Sequence, residues 1–193
     1  MSPPLDPESR REAILAAALE LFDERGFHGT AVPAIAEHAG VGAGTLYRNF
    51  ASKEELVNVL FRHWKREFAE RLLASWPGAK SPRERMSAVW RHFCEFAREQ
   101  PRALGFLELH YHGSYLDAES VALRDGLHQQ FRGLVAQLQR EQALRGDVDP
   151  EVLIAIVEGA FLRLHVELRH GHVDDADKLL EQTERCVWEA IRP

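Results

Sequence analysis

Cysteine is almost absent. The two in the chain, Cys94 and Cys186, lie far apart in helical patterns. Such a pair provides neither a disulfide framework nor a zinc-ligand spacing, so reduced thiols in a cytoplasmic protein are expected. A redox switch is the weaker reading, because neither shows basic surroundings with a resolving partner. Long apolar runs are missing too. None approaches the ~20 residues needed to cross a bilayer, so no membrane contact is expected. The start, MSPPLDPESRRE, is polar and proline-rich and lacks the apolar centre of a secretory leader. No stretch has the two-residue period of a strand, and there is no repeat or low-complexity linker. Glycine-rich phosphate loops, nucleophile elbows and the HExxH pattern are also missing, so the chain does not read as an enzyme, and neither cofactor nor metal is expected. Positive charge is not in excess. Lys and Arg number 24 against 30 Asp and Glu, for a net charge of −6. Bulk charge therefore cannot be what would hold a nucleic acid.

What is present is helical periodicity. Apolar residues make up 45% and charged residues 28% of 193 residues, enough for a full core. An all-α fold of about nine helices follows from the 3.6-residue spacing and its stops. Asp6-Pro7-Glu8 opens the first helix, which buries Ile14, Leu15, Ala18, Leu21 and Phe22 and ends at Gly26. A long helix from Ser52 carries Leu56, Val57, Leu60, Phe61, Trp64 and Phe68 and stops before Pro77-Gly78. Ser81-Pro82-Arg83-Glu84 is a capping box, and Pro101 opens a short helix over about 102–112. Residues 117–144 form a long helix burying Leu127, Phe131, Leu134, Val135 and Leu138, closed by Gly146. Asp149-Pro150 opens the next, to about His170, and Asp174 or Asp175 caps the last.

Residues 30–53 carry the most information. Thr30 is placed to cap a helix whose apolar positions are Val32, Ile35, Ala36 and Ala39. Pro33 falls in its first turn and removes a donor, leaving the Thr30 hydroxyl for an outside acceptor such as phosphate. Gly40 suits the left-handed position that ends a helix, and Val41 plugs the gap to the next. That next helix, about 43–50, turns Leu46 and Phe50 to the core and leaves Ala43, Gly44, Thr45, Arg48 and Asn49 on other faces, with Tyr47 at the edge. Two helices about a short glycine turn form a helix-turn-helix, and Ser52-Lys53-Glu54-Glu55 caps the helix that follows.

The run resembles the DNA-binding motif of the tetracycline-repressor (TetR) family. The matching elements are Thr30, Ile35-Ala36, Ala39-Gly40-Val41, Gly44-Thr45-Leu46-Tyr47, Phe50 and Ser52-Lys53-Glu54. Residues 14–22 and Arg25-Gly26-Phe27 are similar to the family's first helix. Gly42 and Ala43 depart from it, since the family often has Ser or Thr and then a basic or polar residue there. The resemblance implies double-stranded DNA as partner, a palindromic operator, and contacts from Thr30, Gly42, Ala43, Gly44, Thr45, Tyr47, Arg48, Asn49 and Lys53. Residues 1–65 carry seven Lys/Arg and nine Asp/Glu, so any favourable field is local: Arg48, Lys53, Arg10, Arg11 and helix N-termini.

The family also implies a division into 1–52, which reads DNA, and 53–193, which binds a ligand and dimerises, with a linking helix about 53–76. The stretch 152–168 is apolar over more than one face and needs cover from two sides. A homodimer through the last two helices, about 150–192, supplies that cover. A monomer burying everything internally is the other reading. Trp90, Phe93, Phe106, His110, Tyr111, Phe131, Glu158, Phe161 and His165 suggest a mostly apolar pocket with a few orienting polar groups, though each aromatic alone is ordinary core. Glu158, on an apolar stretch, needs a cationic ligand or a partner such as Arg163. The expected function is a DNA-binding transcriptional regulator, a repressor released by a small effector. A helical interaction module that keeps the fold without reading DNA is the alternative.

Overall fold

The computed structural model describes residues 6–75, 81–109, 113–173 and 175–193. Among them every regular element is helical. The helices are α1 (Pro7–Gly29), α2 (Val32–His38), α3 (Ala43–Asn49), α4 (Lys53–Ser75), α5 (Pro82–Glu99), α6 (Pro101–Leu104), α7 (Ala118–Arg140), α8 (Pro150–Arg169) and α9 (Ala176–Ile191). The chain divides into two compact units. One comprises residues through Glu67 with Gln100–Leu123; the other comprises Phe68–Glu99 with Arg124–Pro193.

The first unit is built on local signals. Asp6 accepts from the amides of Glu8 and Ser9 at 2.9 Å, satisfying donors that the first turn of α1 cannot bond itself. Gly26 interrupts α1 with φ 68° and ψ 176°, a backbone open to glycine, and Phe27 beyond it turns into the core. Gly40 follows α2 at φ 66°. Its amide donates to Glu37 O at 3.0 Å and that of Val41 to Ala36 O at 2.9 Å, the paired bonds of a Schellman ending. Ile14, Leu21, Phe22, Ile35, Leu46, Phe50, Leu56 and Val57 form the core.

Residues 100–123 complete this unit. Phe106 is fully buried there and stacks on Phe22, their ring centroids 6.2 Å apart. It follows α6 in a π-helical segment, Gly105–Leu109, where a continued helix was expected. His110, Tyr111 and His112 lie outside the described residues. Asn58, buried in α4, donates to Tyr115 O at 2.9 Å and accepts from the Asp117 amide at 2.9 Å. Arg62 reaches both carboxylate oxygens of Asp117 and the Ser120 hydroxyl. These bonds fix the start of α7 against α4.

The second unit packs the latter parts of α4 and α7 with α5, α8 and α9. The Ser81–Glu84 capping box forms, each residue's side chain bonding the other's amide. Arg83 pairs with Glu184 of α9, which also accepts from Ser87, and its guanidinium lies over the Trp188 ring. Those hydrogen bonds hold the Glu184 carboxyl below its ordinary range despite burial. This buried carboxylate had no signal in the sequence.

α7 ends at Arg140, not at the expected Leu144, and Gly146 plays no closing part. Gln142 takes the left-handed conformation (φ 57°), and the Ala143 amide donates to Leu138 O at 2.9 Å. Folding back this early buries Ala143 and Leu144. The next helix begins as expected, with Asp149 accepting from the Glu151 amide at 2.8 Å ahead of Pro150. Asp175 caps α9, while Asp174 and the Pro77-Gly78 stop lie outside the described residues.

Candidate nucleic-acid interface and ligand cavity

α3 presents its polar and small residues outward. Ala43, Gly44, Tyr47 and Arg48 are exposed, Thr45 and Asn49 are half-buried, and Leu46 is the anchor at 0% exposure. Tyr47 is 55% exposed, a large ring with no place in the core. A Cβ added at Gly42 or Gly44 would meet nothing within 4 Å, so the fold itself does not require glycine at either position. No side chain caps the start of α3. Arg48 Nη2 donates to the Thr45 hydroxyl at 3.0 Å, and Asn49 Nδ2 is spent on Thr45 O at 2.8 Å.

Two residues expected to meet DNA are committed to the fold. Thr30 is 1% exposed, and its hydroxyl lies 2.9 Å from Leu21 O and 2.8 Å from Gly26 O. It does not cap α2, whose preceding residue is Ala31. The single hydroxyl proton is shared between these two carbonyls beside the Gly26 break, so it is committed to the end of α1 and not to an outside acceptor. Lys53 is the second. Its Nζ donates to Phe27 O at 2.8 Å and Thr30 O at 2.9 Å, and sits 4.0 Å from the centroid of the Phe27 ring. Phe27 in turn stacks on Tyr115 at 4.1 Å. Lys53 therefore closes the end of α1, with one N–H of its three left over. Arg11, itself exposed, lies over the Phe50 ring at 5.2 Å.

The second unit contains an apolar cavity of about 120 Å³. Five elements line it: Phe68 and Leu72 of α4, Met86, Val89 and Phe93 of α5, Phe131, Leu134, Val135 and Leu138 of α7, Leu153, Ile154 and Val157 of α8, and Ile191 of α9. This explains why Phe131, Leu134 and Val135 are only half-buried, against the expectation of a filled core. Arg85 and Glu158 are the charged residues in the lining. Arg163, suggested above as a partner of Glu158, pairs instead with Glu167 one turn on.

Of the expected pocket residues, Phe93, Phe131 and Glu158 line this cavity. Phe161 and Trp90 stand behind Phe93: Phe161 lies 5.2 Å from Phe93 and 5.7 Å from Trp90, and His165 stacks on Phe161 at 6.0 Å. Phe106 is not part of it, being in the core of the other unit. His92, which sequence reasoning passed over, is 5% exposed between Phe68 and Phe96, with burial pushing its imidazole below the ordinary value. Its Nε2 and Trp90 Nε1 are buried without a hydrogen-bond partner. Cys94 is buried and its thiol pushed up to about 11, an inert group, whereas Cys186 is exposed and unbridged. Among the described residues no group of three or more His, Cys, Asp or Glu could hold a metal, and no helix is long and apolar enough to cross a membrane.

Known proteins share this arrangement. The HTH-type transcriptional regulator UidR of Escherichia coli K12 is 28% identical over 182 residues, 89% of this chain and 84% of its own. The HTH-type transcriptional repressor KstR2 of Mycobacterium tuberculosis is 50% identical over 54 residues, 28% of this chain and 27% of its own. In fold, the crystal structure of a TetR family transcription regulator from Marinobacter aquaeolei VT8 superposes with TM-score 0.81 at 23% identity, covering 95% of this chain and 96% of that one. Residues 14–60 match the model for "Bacterial regulatory proteins, tetR family", and residues 61–193 that for "Tetracyclin repressor-like, C-terminal domain". The chain belongs to the tetR family of bacterial regulatory proteins, DNA-binding transcriptional regulators with an N-terminal helix-turn-helix and a helical C-terminal domain.

Proposed function

We propose that this regulator is a cytoplasmic repressor without enzymatic activity, and that it binds a palindromic operator as a homodimer and is released by a small, mainly apolar effector. The cavity is the observation that carries the effector. A partly open apolar space lined by residues of five elements, with Arg85 and Glu158 at its wall, has the shape and lining of a small-molecule site. A ligand filling it shifts the population toward whichever conformation holds it better, and DNA affinity changes by that difference.

The functional division follows 1–52 for reading DNA and 53–193 for ligand and partner. α3 does the reading, with Tyr47, Arg48, Thr45 and Ala43 toward the duplex and the bare backbone at Gly42 and Gly44 free to approach a phosphate. α8 and α9 form the dimer contact. In α8 only Leu153 and Phe161 are buried, while Val152 is 44% exposed and Ile156, Leu164, Val166 and Leu168 are half-buried. A second copy laid on that helix removes the remaining apolar surface from water.

The test is a gel shift with the palindromic DNA beside the regulator's own gene. Tyr47→Ala abolishes the shift while leaving the melting temperature unchanged, because the ring contributes nothing to the core. A small-molecule library then selects compounds that raise the melting temperature and release the DNA. A hit that stabilises the protein without weakening DNA binding would defeat the effector reading. A Tyr47→Ala variant that binds like the parent would defeat the assignment of α3.

A further inference from the structure

Resting on the DNA-binding reading, we infer that Arg48 reads a guanine in each operator half-site and that Thr45 positions it to do so. On α3 the charged side chain is Arg48, and it is exposed. The other cation of the motif, Lys53, is held by two carbonyls and the Phe27 ring, and Arg11 lies over Phe50. The remaining outward groups of α3 are small or aromatic: Ala43, Gly44 and Tyr47. Within this helix, sequence information from a G·C pair has one bidentate donor to go through.

The geometry suits that task. A free arginine on a surface helix samples many rotamers and loses them on binding. Here Nη2 donates to the Thr45 Oγ1 at 3.0 Å, which ties the guanidinium to its own helix three residues back. A guanidinium presents two double-donor edges, one shared between Nε and Nη2 and one between Nη1 and Nη2. Nη2 has a hydrogen on each edge. Whichever the hydroxyl takes, the other edge keeps both donors, and two parallel donors match the O6 and N7 acceptors of guanine in the major groove. A phosphate can take the same two donors, so site selection is what separates a base contact from a backbone one. Thr45 is half-buried, so its own rotamer is confined and it makes a firm anchor.

The experiment selects preferred sites from random duplexes with the full-length protein, then repeats the selection with Arg48→Lys, Thr45→Val and Thr45→Ser. The parent is expected to require guanine at one position of each half-site. Arg48→Lys keeps the charge, so the salt dependence and non-specific binding stay close to the parent, while affinity for the preferred site, and with it discrimination at that position, falls about tenfold or more. Thr45→Val keeps the shape and removes the acceptor. It relaxes the same position and no other, and Thr45→Ser restores it. A parent that selects a defined site, with an Arg48→Lys variant showing unchanged preferences throughout, overturns the assignment and makes Arg48 a phosphate contact. Thr45→Val retaining full discrimination overturns the positioning role. A parent that selects no site at all removes the DNA-binding reading, and this assignment with it.

Discussion

Lys53 shows how a side chain can look like a ligand contact and be a structural closure. Its Nζ donates to Thr30 O, which lies beyond the last turn of α1, and to Phe27 O, which also accepts from the Thr30 amide at 3.3 Å. Lys53→Ala removes the side-chain donor from both carbonyls, leaving Phe27 O only the Thr30 amide, and uncovers one face of Phe27. The expected loss is about 1–3 kcal/mol, read as a lower denaturation midpoint with the slope unchanged. DNA binding should fall in proportion to the lost order, with the salt exponent shifting by less than one unit. A shift of a full unit per subunit with stability intact would make Lys53 a phosphate contact after all. Sequence could not have separated these roles. Thr30 and Lys53 sit in a motif whose neighbours face outward, and which donors a fold spends internally depends on a carbonyl exposed 23 residues away in sequence. Leu46 was easier, since helical period assigns it to the core face with Phe50, and it left Tyr47 at the edge of that face, where it is exposed.

At the scale of elements, several boundaries were legible from cap chemistry, although Thr30 does not form the cap its position implies. Asp6, Ser81 and Asp149 each bond the amides that their spacing implies, and Gly40 takes the left-handed backbone. The end of α7 was not legible, because the left-handed position there belongs to Gln142, a residue without that preference, and only the burial of Ala143 and Leu144 explains it. The α5–α9 contact was equally hidden. Glu184 accepts from Arg83 and Ser87 inside the second unit, with its folded pKa depressed chiefly by the Arg83 bond. A depressed carboxyl contributes stability that is present above its unfolded value, near 4.3, and is lost as pH falls through the folded value. Glu184→Gln should therefore destabilise the protein by about 1–3 kcal/mol at pH 7. The gap between variant and parent should close as pH drops below about 4. Urea melts across that range check it, and a gap constant with pH would show that the pair contributes through packing alone.

At the scale of the molecule, a net charge of −6 must coexist with binding to a polyanion. With Lys53 engaged at the end of α1, roughly two phosphates per subunit remain to be neutralised. For a dimer this gives an observed affinity falling as about the fourth power of salt concentration. Filter binding between low and physiological salt measures the exponent, and a value near zero is incompatible with operator binding. The pocket was half legible at this scale. Aromatic crowding pointed to Phe93 and Phe131, yet the aliphatic lining from α7 and α8 looked like ordinary core, and Phe106 belonged to the other unit. Periodicity reports that a residue is inward-facing but not whether anything meets it there. Trp90 gives this molecule an optical property. Its indole is buried edge-on against Phe161, which touches the Phe93 ring of the cavity wall. An occupant that displaces Phe93 alters the surroundings of a chromophore already in place. Intrinsic fluorescence can therefore follow effector titrations on the unlabelled protein, in the cuvette and in real time.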